Sequence, residues 1–127
     1  MKESEANIQK AILDYGKAMN IPMRRINVIG TPYQKNGVTY YRKSPNVGMA
    51  DIHAEILISK IPVSVWFEVK SKRGKLSQAQ ETFRDSVASY GGFYCLVRSI
   101  EDVQEAIELV REVIKDNVRN ENRVVGC

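Results

Sequence analysis

The chain has 127 residues and a formal net charge of +4, with 43% hydrophobic and 27% charged residues. That length suits one domain with a single core, and the balance is that of a globular protein rather than a disordered or fibrous one. No apolar run approaches the roughly 20 residues of a spanning helix, the polar start MKESEANIQK is no secretory leader, and two cysteines make no disulfide framework; a cytoplasmic protein with no membrane partner is expected.

In the opening segment Ile8, Ala11, Ile12 and Tyr15 recur at helical spacing, with Ser4 as N-cap and Asn20-Ile21-Pro22 as the stop. Glu5 and Gln9 share a face of this helix. MRRINVIG reads as a strand. TPYQKNGVTYYRKSP reads as a hairpin turning at Lys35-Asn36-Gly37, because Asn-Gly supplies the positive φ of a tight turn. Its Tyr33, Tyr40 and Tyr41 are sheet residues first and contacts for bases second.

ADIHAEILI and VSVWFEVKS follow as a strand pair with a period of two. Ile52, Ala54 and Ile56 alternate with Asp51, His53 and Glu55; Val63, Val65, Phe67 and Val69 alternate with Ser64, Trp66, Glu68 and Lys70. A loop, SKRGK, leads into a second helix with a Ser77–Gln80 capping box, a stripe of Phe83, Val87 and Tyr90, and a stop at Gly91-Gly92. FYCLV, which contains Cys95, reads as a buried strand. The last helix has Ser99 as N-cap and turns Ile100, Val103, Ile107, Val110 and Ile114 inward. Residues 1–118 form the expected domain, and 119–127, ending in Cys127, a flexible tail. The order of helix, a run of antiparallel strands, helix, strand and helix defines one α/β domain.

Charge is unevenly placed. No acidic residue occurs from Tyr15 to Ala50, where Lys17, Arg24, Arg25, Lys35, Arg42 and Lys43 lie, and Lys70, Lys72, Arg73 and Lys75 form a second basic cluster. Acids concentrate in the last third, from Glu101 to Asp116. Such asymmetry suits a polyanion partner. Arg24, Arg25, Arg42, Lys43, Lys72, Arg73 and Lys75 are candidate phosphate contacts.

Chemistry concentrates on the strand pair. If its turn centres on Ser59-Lys60, cross-strand partners sum to 119, and Asp51 stands opposite Glu68 with Cβ atoms roughly 5 Å apart; a slip of one residue would put them on opposite faces. Two carboxylates that close repel unless a proton or cation neutralises them, and a hard divalent ion, Mg²⁺ or Mn²⁺, suits oxygen ligands. Lys70 lies about 7 Å further along the Glu68 face, where its ammonium can orient a water or offset charge on a phosphate. His53, on the Asp51 face, is a general base, an extra ligand or a hydrogen-bonded neighbour. Glu55 is a strand-surface charge, and Trp66 either walls the site or packs under the first helix.

Asp51, the FEVK of Phe67 to Lys70 and the GKLSQAQETF after it resemble the PD-(D/E)XK nuclease core, and the helical Glu in SEANIQKAI, the RRIN strand, GMAD, Glu-x-Lys and the Gln after GKLS follow one another in order. More narrowly they are similar to the VRR-NUC family of virus-type replication-repair nuclease modules, over nearly the whole chain. The resemblance implies a mixed central sheet flanked by helices in the order α-β-β-β-β-β-α-β-α. It implies metal ligation by Asp51, Glu68 and the Val69 carbonyl, Lys70 as the catalytic lysine, Glu5 reaching the metal shell, and Gln80 holding the site or a phosphate. The family's usual proline before the Asp is Ala50 here, with Pro45 further back; proline there shapes a turn and does no chemistry. The implied activity is Mg²⁺- or Mn²⁺-dependent endonucleolytic hydrolysis of DNA, selective for Holliday junctions or other branched DNA. It is implied to act as a homodimer in phage or bacterial repair, replication or recombination. The alternatives are a nucleic-acid-binding module that keeps the fold without catalysis, and a plain interaction protein with surface salt bridges.

Overall fold

A computed structural model describes residues 4–26, 31–42 and 44–125. Asn27 of the RRIN strand, the rest of that strand to Gly30, Lys43 and Cys127 lie outside the described residues.

The first helix, α1, is Glu5–Ala18, capped by the Ser4 side chain, which accepts from the Asn7 amide at 3.1 Å. It ends where Asn20 takes a left-handed φ of 56°, letting the Ile21 and Asn20 amides close on the Gly16 and Lys17 carbonyls. Three strands follow, β1 (Met23–Arg25), β2 (Thr31–Lys35) and β3 (Val38–Arg42). Then β4 (Ile52–Ile58) and β5 (Ile61–Val69) meet at a turn in which Ser59 and Lys60 both have positive φ, the backbone of a two-residue hairpin. Helix α2 (Gln78–Ser89), strand β6 (Phe93–Val97) and helix α3 (Ile100–Val125) complete the order expected from sequence. α3 continues past the boundary drawn at residue 118.

The main sheet is mixed, in the order β1-β4-β5-β6; β1 and β5 run antiparallel to β4, and β6 runs parallel to β5. One face is the core, where Ile8 and Ile12 of α1 and Val103, Ile107 and Val110 of α3 meet the alternate apolar residues of β4 and β5. The other face is covered by α2, which buries no residue fully. Its Phe83 meets Trp66 edge-on with centroids 5.1 Å apart, and Tyr94 at 6.1 Å. Trp66 therefore packs under the second helix, not the first: α1 and α3 occupy the opposite face. Tyr90 leaves the expected stripe because it is the C-cap, one residue past the helix, and is 89% exposed.

The β2–β3 hairpin differs from a simple continuation of the sheet. It forms its own two-stranded sheet, turning at Asn36-Gly37, with every residue exposed. Neither of its faces is an apolar row, so nothing drives it into the core.

After the ribbon, a turn at 45–48 brings the chain back against the start of α2. Gly48 has φ 85°, and a Cβ there would sit 2.6 Å from the Ala79 carbonyl oxygen. Gly48→Ala should lower stability by about 1–3 kcal/mol, whereas Gly37→Ala, with φ 74° but open space around it, should cost about 1 kcal/mol; urea midpoints of the two variants check the difference.

Candidate functional site

The observed register carries the expected arithmetic: Ile52 pairs with Phe67, His53 with Trp66, and Ile58 with Ile61. Continued by one residue, it sets Asp51 opposite Glu68. Asp51 precedes β4 directly, its carbonyl accepting from the Ile26 amide at 2.8 Å and its Oδ2 from the Val69 amide at 2.8 Å. The carboxylate is thus anchored between the two residues of the Glu-x-Lys pair.

Glu68 lies on the α2 face and is only 1% exposed. Its Oε1 accepts from Gln80 Nε2 at 2.7 Å and lies 3.7 Å from Lys70 Nζ. Its Oε2 is buried with no hydrogen-bond partner among the described residues. The neighbouring Asp51 carboxylate is itself an acceptor, so the pair requires a proton or a cation. Burial and the adjacent Asp51 charge push Glu68 up to about 8, against the pull of Lys70. Burial also raises Asp51, opposed by its bond from Val69 and by Lys70, and Glu5 adds to the rise.

Gln80 is aimed by the helix cap. Its Oε1 accepts from the Ser77 amide at 2.8 Å while its own amide donates to Ser77 Oγ at 3.2 Å, leaving the side-chain NH₂ for Glu68. Gln80→Glu keeps an oxygen for the cap and places a third carboxylate beside the pair. It should melt close to the parent at about pH 5 and clearly below it at about pH 9, in thermal scans without divalent cations.

Glu5 comes to the same end of β5. Its Oε1 accepts from the Ser71 amide at 3.3 Å and passes Gly74, where a Cβ would lie 3.2 Å from that oxygen and 3.3 Å from the Lys70 side chain. Among the described residues no three His, Cys, Asp or Glu side chains form a metal-holding group. A divalent cation here would rest on Asp51 and Glu68 with backbone or solvent oxygens, a hard donor set that fits Mg²⁺ or Mn²⁺; the unpartnered Oε2 is the observation on which that fit stands.

The other expected residues separate. His53 Nε2 pairs with Ser64 Oγ and its ring sits 4.5 Å from Trp66, so it is a hydrogen-bonded neighbour of Ser64 rather than of the acids. Arg24 pairs across from His53 and shares its face. Arg25 belongs to the other face, beside Lys10, Asp14 and Lys17 of α1, because successive strand residues alternate. Arg42 lies on the ribbon, and Lys72, Arg73 and Lys75 are exposed on the loop beyond β5.

Two residues were not anticipated. Arg98 Nη1 donates to the Ser71 carbonyl and, at 3.1 Å, to that of Gly74, tying this loop to the end of β6. Tyr94, opposite Trp66 in the parallel register, has a buried hydroxyl with no partner among the described residues; burial, then the Glu68 and Asp51 charges, raise its pKa. The apolar run FYCLV conceals Tyr94, and only the β5–β6 register reveals its face.

No protein-family model, curated protein or solved structure matches this chain. Among the described residues no helix is long and apolar enough to cross a membrane.

Proposed function

We propose that the protein is a metal-dependent endonuclease of the PD-(D/E)XK type, resembling VRR-NUC modules, that hydrolyses phosphodiester bonds in DNA. One observation carries this reading. Buried Glu68 and half-buried Asp51 repel each other, and the pair has an oxygen without a partner among the described residues and an ammonium 3.7 Å away. A surface salt bridge leaves no such deficit, and a pure binder gains nothing from acids beside phosphate. The element order, with Asp ahead of β4 and Glu-x-Lys closing β5, supports the same reading.

A divalent cation at the pair would supply Lewis acidity toward a phosphate and an activated water. The chain's own groups do the rest. Asp51, held by the Val69 amide, and Glu68, held by Gln80, present fixed oxygens. Lys70 counters charge building on the phosphate and can orient the attacking water. The Val69 carbonyl would add a backbone ligand and Glu5, held at the Ser71 amide, would reach the shell through water, while Arg24, Lys72, Arg73 and Lys75 grip phosphates without reading sequence. One such centre cuts one strand, so resolving a Holliday junction takes a homodimer.

The test incubates supercoiled, linear and four-way-junction DNA with the parent, Lys70→Ala and Glu68→Gln in Mg²⁺ or Mn²⁺. Cleavage by the parent alone, with binding kept in both variants, supports the nuclease. Binding without cleavage supports a non-catalytic module, and neither supports an interaction protein.

A further inference from the structure

The β2–β3 ribbon sorts its residues by face. The observed pairing, Thr31 with Arg42, Tyr33 with Tyr40 and Lys35 with Val38, puts Tyr33, Lys35, Tyr40 and Arg42 together on one side. Pro32, Gln34, Thr39 and Tyr41 take the other. The first side therefore holds both cations of the ribbon and a stacked aromatic pair, Tyr33 and Tyr40, with centroids 5.6 Å apart and planes 24° from parallel. The Arg42 guanidinium lies 5.3 Å from the Tyr33 centroid.

An isolated two-stranded hairpin is marginal in water, and this one has no partner for either face within the described structure. Tyr33 and Tyr40 remain 40% and 45% exposed. No acid lies on the ribbon or anywhere from Tyr15 to Ala50. A protein partner would have to be acidic and aromatic-seeking at once; a nucleic acid offers both phosphate charge and flat bases. In sequence the ribbon directly precedes the proposed catalytic pair: β3 ends at Arg42 and Asp51 follows nine residues later, within reach of about 30 Å of extended chain.

We propose that this face of the ribbon binds unpaired nucleotides, stacking bases on the Tyr33–Tyr40 platform while Lys35 and Arg42 take the flanking phosphates. Resting on the nuclease reading above, this identifies the substrate class as DNA with unstacked bases next to a duplex, such as forks, flaps and open branch points. Stacking is tolerant of sequence, so the selection is for DNA shape.

The test measures fluorescence anisotropy of labelled single-stranded, forked and fully duplex DNA in buffer without Mg²⁺ or Mn²⁺. Tyr33→Ala/Tyr40→Ala should weaken single-strand and fork binding by roughly tenfold or more and leave duplex binding nearly unchanged. Tyr33→Phe/Tyr40→Phe, which keeps the rings and the fold, should bind as the parent does. Arg42→Gln should lower the slope of log affinity against log salt on single strands by about 0.7. Equal loss on all three DNAs, no loss at all, weak binding by the Phe variant, or conversion of a dimer to a monomer by the Ala variant in light scattering would each overturn the proposal. The last outcome would make the ribbon a contact between copies. Absence of metal-dependent cleavage by the parent overturns the nuclease reading alone, because the binding measurements involve no cutting.

Discussion

Glu68→Gln should abolish cleavage and yet make the cation-free protein more stable than the parent above about pH 8. The sign follows from the direction of the shift. Glu68 is raised from 4.5 to about 8, first by burial and then by Asp51. Below pH 4.5 the carboxyl is neutral in both folded and unfolded chains and costs nothing. As pH rises toward 8 the unfolded chain ionises freely while the folded one resists, so stability is lost across that window and stays lost above it. The loss is on the order of a few kcal/mol. Glutamine keeps the shape and can still meet Gln80, but it never ionises. Calorimetric melts of parent and variant from about pH 4 to pH 9 should diverge as pH rises. Mn²⁺ should then restore the parent alone, by about 2.7 kcal/mol at a hundredfold excess over its dissociation constant. Parallel melts with and without Mn²⁺ would remove the basis for a cation at this pair.

Lys70→Ala should separate binding from chemistry. The Lys70 side chain is 12% exposed and its ammonium lies 3.7 Å from Glu68 Oε1, and in a largely desolvated setting a positive charge acts strongly on charge developing nearby. Its loss should slow single-turnover cleavage by about 10²–10⁴-fold. The cation-induced rise in melting temperature should persist or grow, because Lys70 is one of the charges that offset Asp51 and Glu68. Cleavage within a few-fold of the parent would assign Lys70 to a structural ion pair.

How far the site was legible depends on which interactions are local. The Ser59-Lys60 turn and the alternation on either side specify a register, and with it the meeting of residues 51 and 68, because a two-residue turn allows only one pairing of adjacent strands. Caps at Ser4, Ser77 and Ser99 are likewise local and were readable. Period-two alternation reveals that Trp66 and Glu68 share a face but not which helix covers it, so both the burial of Glu68 and the Trp66–Phe83 contact needed the tertiary fold. Tyr94 lies in, and Arg98 directly follows, a strand whose partner is reached across a whole helix, and no short-range pattern links them to β5. The ribbon's detachment was hidden for a different reason: its hairpin signal is as strong as that of β4–β5, and only the lack of an apolar row sets it apart.

One glutamine serves two masters. Because the side chain of Gln80 closes the first turn of α2 and also grips Glu68, unwinding that turn would release the carboxylate, and expelling whatever neutralises the carboxylates would loosen the turn. Amide hydrogens at the start of α2 should therefore exchange more slowly when Mn²⁺ is present, making a few backbone protons a remote gauge of occupancy.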